Sequence, residues 1–505
     1  MAYDAADRKI RDRNPLNEIV TTVYDAAGRT VASVDALGNR TTMAFDAAGR
    51  QVRTRNPLGN ITTTVYDAVG RSVATMDALG NRTTTAYDAA GRQVRQFNPL
   101  NQITSTLYDA AGRTRASVDP LGRRTTHAYD TAGRQIRQRN PLDEITTTVY
   151  DAAGRSIATV DPLGRRTTMA YDAADRQIAQ RNPLNYRTTT LYDAAGREIV
   201  KIDPVGARTT STYDAAGRTI RQRNPLGFIT TTLFDAAGQA FANIDALSER
   251  TTMVFDAAGR QVSQRNPLNE VATTTYDAAG RVRAKIDPLG ARTTNSYDAA
   301  GQQTAVTDAR AARTTTVFDA AGRAVATINP LNNRTTTVYD AAARPRRTVD
   351  PLGRISTTLF DAAGQRISQI DPLAHRQTFV YDLAGRTVST VDPNGHRKTT
   401  VYDAAGQNAA VVNALGNRTT TLYDAAGREA VLIDPRGNRS TSIFDAANRR
   451  LRLQNPLGEI TTSAWNPAGW QTLQIDGTGA RRGCGPTCPS GGRPSDSPPA
   501  PWRRA

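Results

Sequence analysis

The chain reads as an all-β protein: tandem 21-residue β-hairpin repeats forming a long antiparallel meander coiled into a spiral, hollow, shell-like wall. Three observations predict this. Tyr-Asp, or an aromatic-Asp equivalent, recurs every 21 residues from Tyr3 to Trp465, giving 23 copies without an insertion or deletion. Two turn signatures recur in phase within every unit, and the segments between them are rich in β-branched and aromatic residues. A constant period means that each unit meets its neighbours in the same way, so function belongs to the assembled surface before any single residue.

Residues 66 to 86, YDAVGRSVATMDALGNRTTTA, serve as one unit. The first turn is Asp67-Ala68-Val69-Gly70. Asp at its first position can bond an amide two residues on, and Gly supplies a left-handed backbone, the pattern of a type I turn with a following bulge. Arg71 to Met76 then reads as a strand. The second turn, Asp77-Ala78-Leu79-Gly80, becomes Asp119-Pro120-Leu121-Gly122 elsewhere, where Pro presets the backbone angle. Arg82 to Tyr87 closes the unit as a second strand. Each strand should span about six or seven residues, so 23 units make about 46 strands, and at ~4.8 Å spacing a flat meander would run roughly 220 Å. Twisted open sheets rarely pass ~10 strands without curling, which is why the ribbon should coil.

Departures from the consensus obey the same backbone rule. The first turn replaces Gly with Asp7, Asp175, Asn448 or Ala343, and the second with Asn17, Asn101, Asn185, Asn269, Asn332 or Asp143. Asn and Asp tolerate a left-handed conformation best among non-Gly residues. That leaves Ala343, Ser248, Ala311 and Ala374 as misfits, with DARAAR (308–313) as the weakest unit. The residues singled out as structural are therefore Tyr24, Asp25, Tyr66, Asp67, Tyr87, Asp88, Tyr108, Asp109, Tyr150 and Asp151 in the aromatic-Asp pairs. In the turns they are Gly28, Gly49, Gly70, Gly91, Gly112, Gly38, Gly80 and Gly122. A second period of 42 is superposed: Asn14, Asn56 and Asn98 open one kind of second turn, and Asp35, Asp77 and Asp119 the intervening kind. Duplication of paired units explains it. Alternation along the strands is imperfect, so neither face reads as a sandwich core; a thin wall with an outside and a lumen fits better.

Leu, Ile, Val and Phe make up roughly 18% of the chain, under the ~20% level that flags disorder when net charge is high. The strict period and the in-phase turns argue against disorder, because stacked units can cover one another. Lys and Arg number 64 against 47 Asp and Glu, a net charge of +17. Spread over the units this is under one charge each, and each positive residue lies close to a repeated Asp, so a solvated, partly self-paired surface is expected and nucleic acid is not the expected partner. No apolar run approaches the ~18 residues of a membrane span, and no signal peptide precedes Tyr3. Cys484 and Cys488 have no His nearby, so neither a metal site nor any cofactor is expected.

The unit YDAAGRxxxxxDPLGxRTT closely resembles the Rhs or YD repeat of bacterial Rhs and wall-associated polymorphic toxins, the C components of insecticidal toxin complexes, and animal teneurins. The resemblance covers residues 3 to about 480. It implies a spiralling hairpin shell that, in the toxin members, encloses a cytotoxic C-terminal domain. A toxin or similar cargo polypeptide is thus one implied partner; cell-surface glycans are the other, with an extracellular or cell-surface location. The core segment and toxin domain of complete Rhs toxins are not recognisable here. The domain reading is 1–480 as a repeat shell of about 23 units and 481–505 as a disordered Pro/Gly/Ser/Arg-rich tail. So abrupt a change of composition is also what a slipped reading frame near residue 480 would leave.

Catalysis needs proton-moving, nucleophilic or metal-binding groups placed together. His127, His375 and His396 fall at unlike positions, and turn capping accounts for the repeated Asp. The tyrosines, fixed before a turn, should pack as a ladder of rings across units, an account preferred to stacking on sugars. Arg124, Arg166, Arg208 and Arg292 share one position with Ile61, Ile103, Ile145 and Ile229, an Arg row that either meets acidic polysaccharide or pairs with nearby Asp. The function expected is a non-enzymatic scaffold, part of an encapsulating shell. A carbohydrate-binding adhesion module and a truncated product without independent function stand as alternatives.

Overall fold

Each 21-residue unit folds as one five-residue and one six-residue strand. The computed structural model describes residues 1–483, and within them it contains 47 strands. In the unit above the strands are Ser72–Met76 and Arg82–Tyr87. The second coincides with the segment marked from sequence, and the first is one residue shorter, because Arg71 belongs to the turn: its amide and guanidinium are both held by Asp67. Strands pair antiparallel with their sequence neighbours, as in Val65↔Ala74 and then Ala74↔Thr84. Between Val65 and Tyr66 the partner jumps from Ala74 to Ser72, leaving Val73 as the extra residue of a bulge.

The expected boundary at 480 falls short of the last strand. Arg481–Gly483 pairs with Gln471–Ile475, so the sheet runs to the end of the described residues. The rest of the expected tail, with Cys484 and Cys488, lies outside them.

The turns carry the backbone sign that their residues imply. Glycines at the left-handed positions have φ from 76° to 89°, and the thirteen non-Gly residues there, Ala343, Ser248, Ala311 and Ala374 included, have φ from 55° to 68°. DARAAR therefore keeps the same turn as its neighbours, with Asp308 accepting from the amides of Arg310 and Ala312.

Contacts divide the described residues into two units, one made of 1–147 and 231–399, the other of 148–230 and 400–483. Each brings an earlier stretch of ribbon edge to edge with a later one. In the first, Arg123 bonds Gln365 at 3.0 Å; in the second, Arg165 bonds Gln407 at 2.8 Å; both pairs are 242 residues apart. The buried core is a row of small side chains at the centre of the five-residue strands: Ala32, Ala116 and Ala158 are fully buried and Ala74 nearly so. Arg11, Arg53, Arg95 and Arg137 hold the same place in the intervening strands. Long side chains thus flank small ones on one face.

Candidate functional site

The aromatic-Asp pairs form a repeating hydrogen-bonded structure along the first-turn edge wherever the turn is followed by Arg. Asp67 Oδ1 accepts from the amides of Val69 at 3.1 Å and Arg71 at 2.9 Å, while Oδ2 takes Arg71 Nε at 2.7 Å. Arg71 then reaches into the next unit. Its guanidinium lies 4.9 Å from the centre of the Tyr87 ring, and its Nη1 donates to the Asp88 carbonyl at 3.3 Å. Tyr87 returns its hydroxyl proton to the Ser72 carbonyl at 2.9 Å. One arginine therefore ties its own turn, the next ring and the next turn together.

This arrangement repeats. Arg8 covers Tyr24, Arg50 covers Tyr66 and Arg92 covers Tyr108, at 5.0, 5.0 and 4.7 Å. The hydroxyls of Tyr24, Tyr66 and Tyr108 donate to the carbonyls of Lys9, Gln51 and Gln93. Asp25, Asp88, Asp109 and Asp151 each bond the guanidinium of Arg29, Arg92, Arg113 and Arg155. Tyr150 is also engaged. Gly28, Gly49, Gly91 and Gly112 take φ of 79° or 80° and Gly70 89°; Gly38, Gly80 and Gly122 in the second turns take 84°, 81° and 79°. The contact between units is a guanidinium on a ring, not the ring-on-ring ladder expected from sequence. Spacing gave no sign of it, because Arg71 and Tyr87 stand 16 residues apart and only the hairpin brings them together.

The electrostatics are those of satisfied ion pairs. The Arg71 amide, and after an opposing desolvation its guanidinium, hold the Asp67 carboxyl below its ordinary 3.8. At Asp88 and Asp109 the Arg92 and Arg113 side chains lead in the same direction. Of the histidines, His375 and His396 bond Asp371 and Asp392 within their own second turns at 2.9 Å, and His127 Nδ1 is buried without a partner. They are not brought together. Among the described residues no cluster of three or more His, Cys, Asp or Glu is placed to hold a metal, and no helix is long and apolar enough to cross a membrane.

The strand arginines behave differently from the turn arginines. Arg82 pairs in register with Met76 and Arg124 with Val118, and both are exposed. In the second stretch Arg376 and Arg397 bond the hydroxyls of Ser368 and Ser389 at 2.9 and 2.8 Å. The positive charge is therefore not uniformly self-paired: the turn arginines are matched by Asp, and the surplus gathers on the strands.

A family model described as RHS Repeat matches residues 24–61, 66–96, 108–145, 150–190, 192–229, 276–313, 360–397 and 402–439, more than half of the chain. Comparison with curated proteins gives no match. Among solved structures, the chain is similar to a mutant form of the Photorhabdus luminescens Tc holotoxin pore, with 14% identity, a TM-score of 0.62 and 91% of this chain covered. It is equally similar to a TcdB2-TccC3-Cdc42 complex, with 14% identity, a TM-score of 0.64 and 94% covered. A TcdB2-TccC3-TEV complex gives 14%, 0.63 and 92%. The chain spans about a third of those solved chains, 31%, 33% and 32% of their length.

Proposed function

Because the chain belongs to the RHS-repeat family, we propose that it is a stretch of container wall that encloses a toxin or similar cargo polypeptide. The observation that carries this reading is the coincidence of the repeat match over more than half of the chain with a fold likeness over 91% to 94% of it to Tc toxin assemblies. The local chemistry supports a wall. The first turns close their own polar groups and the arginine that follows most of them clamps the next unit, so the ribbon holds its form unit by unit, as a sheet must if it is to enclose something. The reading is also non-enzymatic: the repeated carboxylates are spent on amides and guanidinium groups.

The test is copurification from the native source followed by limited proteolysis. A second polypeptide that resists protease until the chain is unfolded is the expected result. A chain recovered alone and digested throughout would overturn the container. Saturable glycan binding that survives moderate salt would favour an adhesion module instead.

A further inference from the structure

We infer that one face of the ribbon is a docking surface for an acidic polypeptide that also carries aliphatic side chains. Residues opposed in an antiparallel pair share a face. The pairs Ala44↔Arg53, Arg55↔Ile61, Val65↔Ala74 and Met76↔Arg82 therefore place arginines and aliphatic side chains side by side on it. The other face carries the threonine pairs Thr54↔Thr62, Thr64↔Thr75 and Thr75↔Thr83, together with the rings. The positions that make up the first face hold Arg repeatedly and no Asp or Glu in any unit. This is where the surplus behind the net charge of +17 lies.

Two details characterise this face. Where the last residue of the five-residue strand is Arg, the turn after it opens with neutral Asn: Arg13-Asn14, Arg55-Asn56, Arg139-Asn140, Arg181-Asn182, Arg223-Asn224 and Arg265-Asn266. Val34-Asp35 and Val118-Asp119 show the ionised alternative beside an apolar residue. At these six positions the residue that opens the turn is neutral, whereas Arg82, Arg124, Arg166 and Arg208 follow turns opened by Asp77, Asp119, Asp161 and Asp203. Arg139 pairs with Asp143 across its turn. The second detail is the exposed aliphatic row on the same face, with Val65 at 45%, Leu107 at 44%, Val254 at 56% and Val380 at 45% exposure.

Those neighbours decide the class of partner. A single-stranded nucleic acid needs stacking platforms between its cations, and the repeated rings lie on the opposite face. Guanidinium groups interleaved with Val, Leu and Ile fit carboxylates interleaved with aliphatic side chains. The inference rests on the container reading only in taking the partner to be a polypeptide.

The experiment is fluorescence anisotropy on the full chain with four probes: a Glu/Leu peptide, poly-Glu of equal charge, single-stranded DNA and heparin. The Glu/Leu peptide is expected to bind best and to keep most of its affinity as salt rises. R82Q, R124Q, R166Q and R208Q combined should weaken it about tenfold or more. V65S with L107S should weaken the Glu/Leu peptide and leave poly-Glu unchanged. Exposed strand positions of this kind rarely alter folding, and circular dichroism checks that. DNA or heparin binding more tightly than the peptide, with a steep salt dependence, would overturn the inference, as would arginine variants that bind like the parent. Either result leaves the copurification test of the container untouched.

A second, independent observation concerns the edge contacts within each unit. We propose that the residue following a second turn between residues 18 and 228, together with the residue 242 positions later following a first turn, forms a pairing code that sets where the ribbon edge docks on itself. Glu18 meets Arg260 at 3.7 Å and Glu144 meets Arg386 at 3.5 Å. Arg123 and Arg165 each meet a Gln instead, Gln365 and Gln407. Tyr186 lies under Arg428 at 5.8 Å, and Phe228 meets Trp470 at 6.5 Å. Arg never faces Arg at this offset. Each Gln uses both ends of its amide: Gln365 accepts from Arg123 and donates to the Gly385 carbonyl, and Gln407 does the same with Arg165 and Gly427. Where a Gln faces Asn60, at Gln302, its Oε1 is buried without a partner.

The test is Gln365→Arg. Judged by its own turn this restores the usual Arg beside Asp361 and should be neutral or stabilising. The code expects the new arginine to repel Arg123, so that amide exchange at 121–126 and 361–366 speeds up about fivefold or more, and expects Arg123→Asn in the same chain to reverse it. Exchange no faster than in the parent, or no reversal, would sink the code.

Discussion

Asp67 and its equivalents set the chemistry of every turn, and their protonation should set the acid limit of the protein. Hydrogen bonds from the Arg71 amide and guanidinium hold the carboxyl below 3.8, and Asp25, Asp46 and Asp130 are shifted the same way by the following arginine. A lowered folded value means that the stabilisation is complete above 3.8 and is lost as the pH falls below 3.8 through the folded values. The urea midpoint should be flat above about pH 5 and fall steeply below that ordinary value; a midpoint that declines from neutral pH would point to other groups. Ala343 makes a second prediction. Its φ of 61° strains an L residue where its neighbours use Gly. Ala343→Gly should therefore stabilise by about 1 kcal/mol net of the added chain entropy, read as a raised thermal midpoint, and Gly91→Ala should lower it. These signs were legible in sequence because left-handed backbone is a property of single residues. The guanidinium-ring contact was not, since it needs the hairpin to exist first.

At the scale of the strand, the sequence marked where each element lies but not which side chain sits at its centre. Ala74 carries no hydrophobic signal stronger than its neighbours, yet it is 3% exposed while Val65, directly opposite, is 45% exposed. Burial here follows size: the small side chain is buried and the longer one stands exposed. Ala74→Leu should accordingly destabilise by roughly 1–3 kcal/mol through overpacking, whereas Val65→Leu should be close to neutral; equal effects in thermal unfolding would contradict a small-residue core. The same alternation gives the 42-residue period a physical use. It spaces long side chains beside small ones and places Asn, not Asp, directly after the arginines that end five-residue strands.

Across the whole molecule, the unbroken period is what allows contacts at a fixed offset of 242 residues to recur in both units. Removing one 21-residue repeat, for example 234–254, would bring Arg123 opposite Arg386 and Arg165 opposite Arg428 at that offset. The deletion should lower the thermal midpoint, and R386Q with R428Q should recover part of the loss; a deletion that costs nothing would show that edge docking is indifferent to register. The sequence by itself determined the repeat, the all-β class, the turn positions and the sign of the backbone at each, because all of these depend on neighbours within one hairpin. Only the tertiary structure decided which face gathers the strand arginines, which rings lie under which guanidinium groups, and which turn meets which. Those depend on strand register and on contacts between residues hundreds of positions apart, and a local pattern repeated identically carries no information about its distant partner.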